Sequence, residues 1–235
     1  MPLPGLEQRI LYEDNHLLIV NKLPSEIVQG DKTGDEPLSE LLKSYLKEKY
    51  AKPGNVFLGV VHRLDRPVSG AVVFAKTSKA LSRMNRLVKE RAVHKTYWAI
   101  VKNPPQEKEA TLIHHLLRNE KKNKSFVHHK AKEGSKEAML DYRFLASGER
   151  YHLLEIDLKT GRHHQIRAQL AAIGCPIRGD LKYGFPRSNP DASISLHAVK
   201  VSFIHPVKNE LLEIVAPPPE DPLWHYFYHL NQSNI

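Results

Sequence analysis

One cysteine in 235 residues, Cys175, leaves no internal disulfide to form. The chain is therefore not a disulfide scaffold, and a reducing compartment is the natural reading. Long apolar runs are missing too: Leu17 to Val20 and Ala71 to Ala75 are among the longest, far short of the roughly 20 residues that cross a bilayer. The opening MPLPGLEQ lacks the basic-then-apolar pattern of a signal peptide. The expectation is a soluble, cytoplasmic protein with no membrane association. The apolar fraction of 41% is ordinary for a chain that buries a real core, and at about 150 residues per domain the length allows one or two domains.

Acidic residues are the scarcer charge, 26 Asp and Glu against 35 Lys and Arg, for a formal net charge of +9 and a pI near 9.5. That balance speaks of partners, and of polyanions first. The excess is clustered. Lys76, Lys79, Arg83, Arg86, Lys89, Arg91 and Lys95 stand against Glu90 alone, and Arg118, Lys121, Lys122, Lys124, Lys130, Lys132 and Lys136 against Glu120 and Glu133. Such clusters suit a footprint on nucleic-acid phosphates, the plainer reading being two solvated faces.

Patterning predicts two short strands within Ile10 to Lys22 around the turn residues Glu13, Asp14 and Asn15. A helix is expected over Asp35 to Tyr50, with Pro37 in its first turn and Leu38, Leu41, Leu42, Tyr45 and Lys49 on one face. Two β-rich segments, Val56 to Val61 and Ala71 to Ala75, flank the polar stretch HRLDRPVSG, a position where sites tend to lie. Ser78 to Arg91 reads as a helix capped by Thr77 or Ser78, with Leu81, Met84 and Val88 inward and Lys79, Arg83, Arg86 and Glu90 outward. Strands are expected at His94 to Val101, Ala138 to Leu145, Tyr151 to Leu158, Ile194 to Phe203 and Leu211 to Val215, a helix at Arg162 to Ile173, and a short aromatic tail after Pro217-Pro218-Pro219. Arg118 to Lys136 shows no apolar period and reads as a mobile basic loop. One α+β domain over residues 1–235, a mostly antiparallel sheet with flanking helices, fits this order.

Asp65 lies between Arg63 and Arg66 in the loop joining two apolar strands. Nearby positive charge favours its carboxylate form, which makes it a nucleophile candidate or a salt-bridge partner; the plainer reading is an aspartate that ties down a loop. Fourteen histidines, with adjacent pairs at His114-His115, His128-His129 and His163-His164, invite a metal reading. Neighbouring side chains diverge, however, and His225 and His229 have no evident third ligand, so no metal is expected. Cys175 has no partner type near it and reads as structural.

The stretch HRLDRPVSGAVVFAK resembles the catalytic motif of the RluA-type RNA pseudouridine synthases, and further segments match in the family's order: YEDNHLLIVNK, HKTYWAIV, TGRHHQIRAQLAAIGCPIRGDLKYG and LHAVKVSFIHP. They run from about Leu11 to Pro219. The resemblance implies a pseudouridine synthase fold and isomerisation of specific uridines in structured ribosomal or transfer RNA, with no cofactor. It implies that Asp65 is the nucleophile, that Tyr97 lies against the target base and assists proton removal, and that Arg167 pairs with the aspartate. Arg63 matches an arginine that holds the flipped nucleotide, His62 opens the motif, and His164 matches the histidine before Gln-Ile-Arg that orders the site. The target base is hidden in a stack and must be extruded into the site. Asn21-Lys22-Leu23-Pro24 departs from the family's Asn-Lys-Pro by one inserted residue, and Ala71-Val72-Val73 is smaller than the usual leucines.

Only about nine residues precede the first match, so the small N-terminal RNA-binding domain of many relatives is expected to be absent. RNA binding then falls to Lys79, Arg83 and Arg86 and to Lys121, Lys122 and Lys124, an inference from charge rather than from the family motif. A monomer is expected. Two other readings remain at this point: a catalytically silent RNA-binding module of the same fold, and a glycoside-type hydrolase, which calls for a second carboxylate such as Asp141, Asp157 or Asp180.

Overall fold

Asp14 makes the first turn, its Oδ1 accepting hydrogen bonds from the backbone N–H groups of His16 and Leu17 at 2.8 Å each. The turn joins β1 (Ile10–Glu13) to β2 (Leu17–Lys22), which pair antiparallel. The computed structural model describes residues 5–31 and 34–232; the first four residues of MPLPGLEQ lie outside them. The chain divides into two compact units, Met1–Val93 with Lys200–Pro217 and His94–Val199 with Pro218–Ile235.

In the first unit, α1 (Leu38–Lys49) starts after Pro37 and buries Leu38, Leu42, Tyr45 and Leu46. Lys49, expected on that inner face, is exposed and pairs with Glu13 at 2.8 Å. The strand expected over Val56 to Val61 shrinks to β3 (Gly59–Val60), and Phe57 before it is exposed. Gly59 is needed for close packing: a Cβ there would sit 2.6 Å from Leu81 Cδ2. Beside it β4 (Ser69–Ala75) is buried along its whole length, as its unbroken apolar run demands of a strand covered on both faces. β4 pairs with β2 from Leu17↔Ala75 to Lys22↔Gly70. α2 (Ser78–Lys89) is capped as expected, with Thr77 Oγ1 accepting from Ala80 N at 3.1 Å. Ala80 and Met84 join Leu17, Ile19, Val73, Val201 and Phe203 in the core.

The second unit is an antiparallel sheet whose strands do not follow chain order. β5 (His94–Val101), β6 (Glu109–Asn119), β7 (Lys124–His128), β8 (Lys136–Ser147) and β9 (His152–Leu158) lie in the order β5-β9-β8-β6-β7, each neighbouring pair antiparallel. The mobile loop expected over Arg118 to Lys136 is thereby corrected: it holds a β-hairpin, β6 to β7, turning through Asn123 at φ 43°. The hairpin closes because residues of period two, Leu116 and Ser125 among them, are buried on one side, while Lys121 and Lys122 are exposed at its tip and hide that period from a helical or apolar count.

α3 (Gln165–Ala172) follows β9, and β10 (Leu196–Ile204) runs on into β11 (Leu211–Val215), which pairs with it from Lys200↔Val215 to Ile204↔Leu211. The aromatic tail is α4 (Pro222–Gln232), whose Trp224 and Phe227 are buried against Trp98, Ile100 and Leu153. The fold class is the expected one, α+β with antiparallel strand pairing.

Candidate active site

The stretch HRLDRPV lies in the link between β3 and β4, and the end of β2 holds it. Val68 N donates to Asp65 O at 3.0 Å, closing a turn, and Ser25 N donates to Arg66 O at 2.9 Å. Lys22 is completely buried, and its Nζ donates to the carbonyls of Leu23, Arg66 and Val68 at 2.8, 3.1 and 2.7 Å. Three acceptors satisfy an ammonium's three donors. Burial pushes this group down to about 7, against the pull of the Glu26 and Asp65 carboxylates. Asp65 is half-buried on that turn, and Arg63 is exposed. His62 Nε2 accepts from Val73 N at 3.2 Å, so this histidine fastens the loop to β4. Arg66 pairs with Asp35.

In the second unit Tyr97 is buried on β5, opposite Ile156 of β9. The chain leaving β9 is pinned by side chains of its own motif. Thr160 Oγ1 accepts from Met139 N at 2.9 Å and donates to Gln165 Oε1 at 2.8 Å, which also accepts from Arg162 N at 3.0 Å. His164 then takes a left-handed conformation, φ 53°, and α3 begins. That turn aims Arg167 at Asp180: Nε and Nη2 donate to its two carboxylate oxygens at 2.7 and 2.9 Å, with the two residues 5% and 1% exposed. A two-point pair of this kind fixes a guanidinium in plane. Asp180 is set by Gly179, at φ +85°, where a Cβ would lie 2.7 Å from Ser193 O.

Tyr183 ties these parts together. Its ring lies 5.2 Å from the Arg167 guanidinium carbon and 4.9 Å from Lys124 Nζ, and its hydroxyl accepts from Ser125 N at 2.8 Å. His164 Nδ1 lies 3.0 Å from the same hydroxyl. Burial, with Arg167 and His163 next to it, pushes His164 down to about 2, so the ring is neutral beside the Tyr183 hydroxyl. The histidine orders the site and is in no state to act as a cation.

Of the basic residues expected to meet RNA, Lys79 and Arg86 are exposed on α2, while Arg83 is half-buried and donates to Pro206 O at 3.0 Å. Lys121 and Lys122 are exposed at the hairpin tip, and Lys124 lies over Tyr183. Among the described residues no three histidine, cysteine or acidic side chains converge on a metal-sized site. Lys22 and Tyr183 are not among the site residues expected from the sequence, and Asp180 is named there only as a second carboxylate for a hydrolase, not as the partner of Arg167. Asp180 and Tyr183 stand inside the matched stretch IRGDLKYG, and Lys22 ends the apolar run of β2, where a lysine in a buried register is itself the signal.

A family model described as RNA pseudouridylate synthase matches residues 16–172. An uncharacterized RNA pseudouridine synthase of Bacillus subtilis is 33% identical over 92% of this chain and 70% of its own length. The ribosomal large subunit pseudouridine synthase D of Xylella fastidiosa is 33% identical over 90% of this chain and 66% of its own. The chain thus spans about two thirds of the length of the curated relatives it matches. Among solved structures, human RNA pseudouridylate synthase domain containing 4 shares the fold at a TM-score of 0.79 and 22% identity, over 97% of this chain and 94% of that one. Human RNA pseudouridylate synthase domain containing 1 follows at 0.69 and 26%, over 93% and 86%.

Proposed function

The chain belongs to the RNA pseudouridylate synthase family, and from that premise we propose that it isomerises uridine to pseudouridine in RNA with Asp65 as the nucleophile. The observation that carries the proposal is the Asp65 turn, a half-buried carboxylate whose backbone is clamped by a completely buried lysine. A nucleophile must be held in place before the substrate arrives, and the two hydrogen bonds from the Lys22 ammonium to Arg66 O and Val68 O do this at little entropic cost. Tyr97 offers a ring face to the extruded base, and Arg167 is the arginine that the resemblance pairs with the aspartate. The Asp65 carboxylate forms a transient bond to the nucleotide as the bond from nitrogen one to the ribose breaks; the uracil turns and is rejoined through carbon five, Asp65 is released, and the proton lost from carbon five is matched by one gained at nitrogen one. No electrons change hands, and the reaction needs neither metal nor cofactor.

Ribosomal RNA is the first substrate to test, because relatives from Xylella fastidiosa and Haemophilus influenzae carry that assignment in their names; transfer RNA is the second. RNA tritiated at carbon five of uridine tests the reaction class. The protein is expected to release tritium to water with no free uracil, and release of uracil instead would mark a hydrolase. A cytoplasmic monomer is part of the same reading. Cys175 is buried, and burial pushes its thiol up to about 11, away from reactive chemistry.

A further inference from the structure

Seven lysines among the described residues are not fully exposed: Lys22, Lys43, Lys76, Lys95, Lys124, Lys159 and Lys200. Six have partners. Lys22 meets three carbonyls, Lys43 pairs with Glu40, Lys76 with Glu13, Lys159 with Asp141 and Lys200 with Glu213, and Lys124 lies over Tyr183. Lys95 alone has no hydrogen bond, ion pair or ring contact among the described residues, although burying a cation without a partner is costly. Burial alone shifts its ammonium downward, and no acidic group counters it.

Its position suggests what completes it. Lys95 precedes Tyr97 by two residues on β5, so the two side chains share a face about 6.6 Å apart along the strand. Trp98, of opposite direction, packs on the other face with Trp224 and Phe227. The Lys95 Nζ ends 3.8 Å from where a Cβ on Gly161 would stand. Gly161 is exposed and has no positive φ, so its backbone does not require glycine. What glycine provides there is an open approach to the ammonium.

We propose that Lys95 binds a backbone phosphate of the nucleotide whose base lies on Tyr97, with Gly161 leaving the space through which that phosphate reaches it. This rests on the synthase reading. A base and its own phosphate are separated by one ribose, a span comparable to the separation of two same-face strand residues. The contact holds the substrate equally before and during reaction, so it acts on binding and not on the chemical step.

The test is Lys95→Met in the full chain, with a stem–loop of ribosomal RNA carrying the mapped target uridine. The variant is expected to raise KM about tenfold with kcat within about twofold of wild type, and to reduce the slope of log K against log salt by about 0.7 to 0.9, one phosphate's worth. A single methylphosphonate on one side of the target uridine should weaken the wild type by the same factor and leave Lys95→Met unaffected. Unchanged salt slope and KM, or a methylphosphonate effect that adds to that of the variant, overturns the proposal. If Lys95→Met fails to fold, Gly161→Asp substitutes, because its carboxylate would occupy the ammonium; RNA binding at wild-type strength in that variant also overturns it. A wild type that binds RNA but makes no pseudouridine refutes the synthase reading, while the salt slope still tests Lys95.

Discussion

Replacing Asp180 by alanine takes from the buried Arg167 guanidinium the carboxylate that it holds at two points. The carboxylate is 1% exposed and supplies two charge-assisted hydrogen bonds at 2.7 and 2.9 Å, each worth about 1.5 to 3 kcal/mol. Breaking one partner of a buried pair typically costs about 3 to 5 kcal/mol, and the two figures agree. With a urea m-value of about 2 kcal/mol/M, the unfolding midpoint should fall by about 1.5 to 2.5 M. Equilibrium unfolding followed by tryptophan fluorescence reads this directly, since Trp98 and Trp224 are buried in the same unit. The double variant Arg167→Met with Asp180→Leu, which removes both charges, should recover most of the loss and still show no turnover. A midpoint for Asp180→Ala within about 0.3 M of wild type would refute the idea that this pair fixes Arg167.

Lys22 has a depressed folded pKa, so between about pH 7 and 10 the unfolded chain binds the extra proton and stability rises with pH; Lys22→Met should lack that rise in pH-dependent urea melts, and should lose turnover through the loosened Asp65 turn. His164 is likewise neutral when folded, so below about pH 6 it costs stability at up to about 1.4 kcal/mol per pH unit. His164→Asn, which tolerates the left-handed backbone, should flatten the acid limb of the stability profile; an unchanged limb rejects the assignment. Replacing Lys121, Lys122 and Lys124 together by alanine should weaken RNA binding at low salt and lower the salt slope by about 2 to 3, and binding unchanged at both low and high salt would remove the hairpin from the interface.

The fold was legible wherever one period dominated. β5 and β11 match their expected bounds, and α2 starts at the cap that Thr77 announces. The hairpin from β6 to β7 was not legible, because its buried residues alternate singly among lysines and histidines and its turn uses a left-handed asparagine in place of glycine. At the site, the motif order pointed to Asp65, Tyr97 and Arg167, but the residues that hold them were silent. Asp180 and Tyr183 act on Arg167 across 13 residues of chain or more, and Lys22 acts on the Asp65 turn through backbone carbonyls that carry no side-chain signature. Arg83 reads as a free basic residue on a helix face, yet a backbone carbonyl claims it.

The most direct test of the central claim is mapping of pseudouridine by carbodiimide-dependent reverse-transcription stops on unmodified ribosomal and transfer RNA, incubated with the protein or with Asp65→Ala. New stops with the wild type and none with the variant are predicted, and they name the target uridine at once. Stops produced equally by Asp65→Ala, or none by a wild type that binds the same RNA, would contradict it.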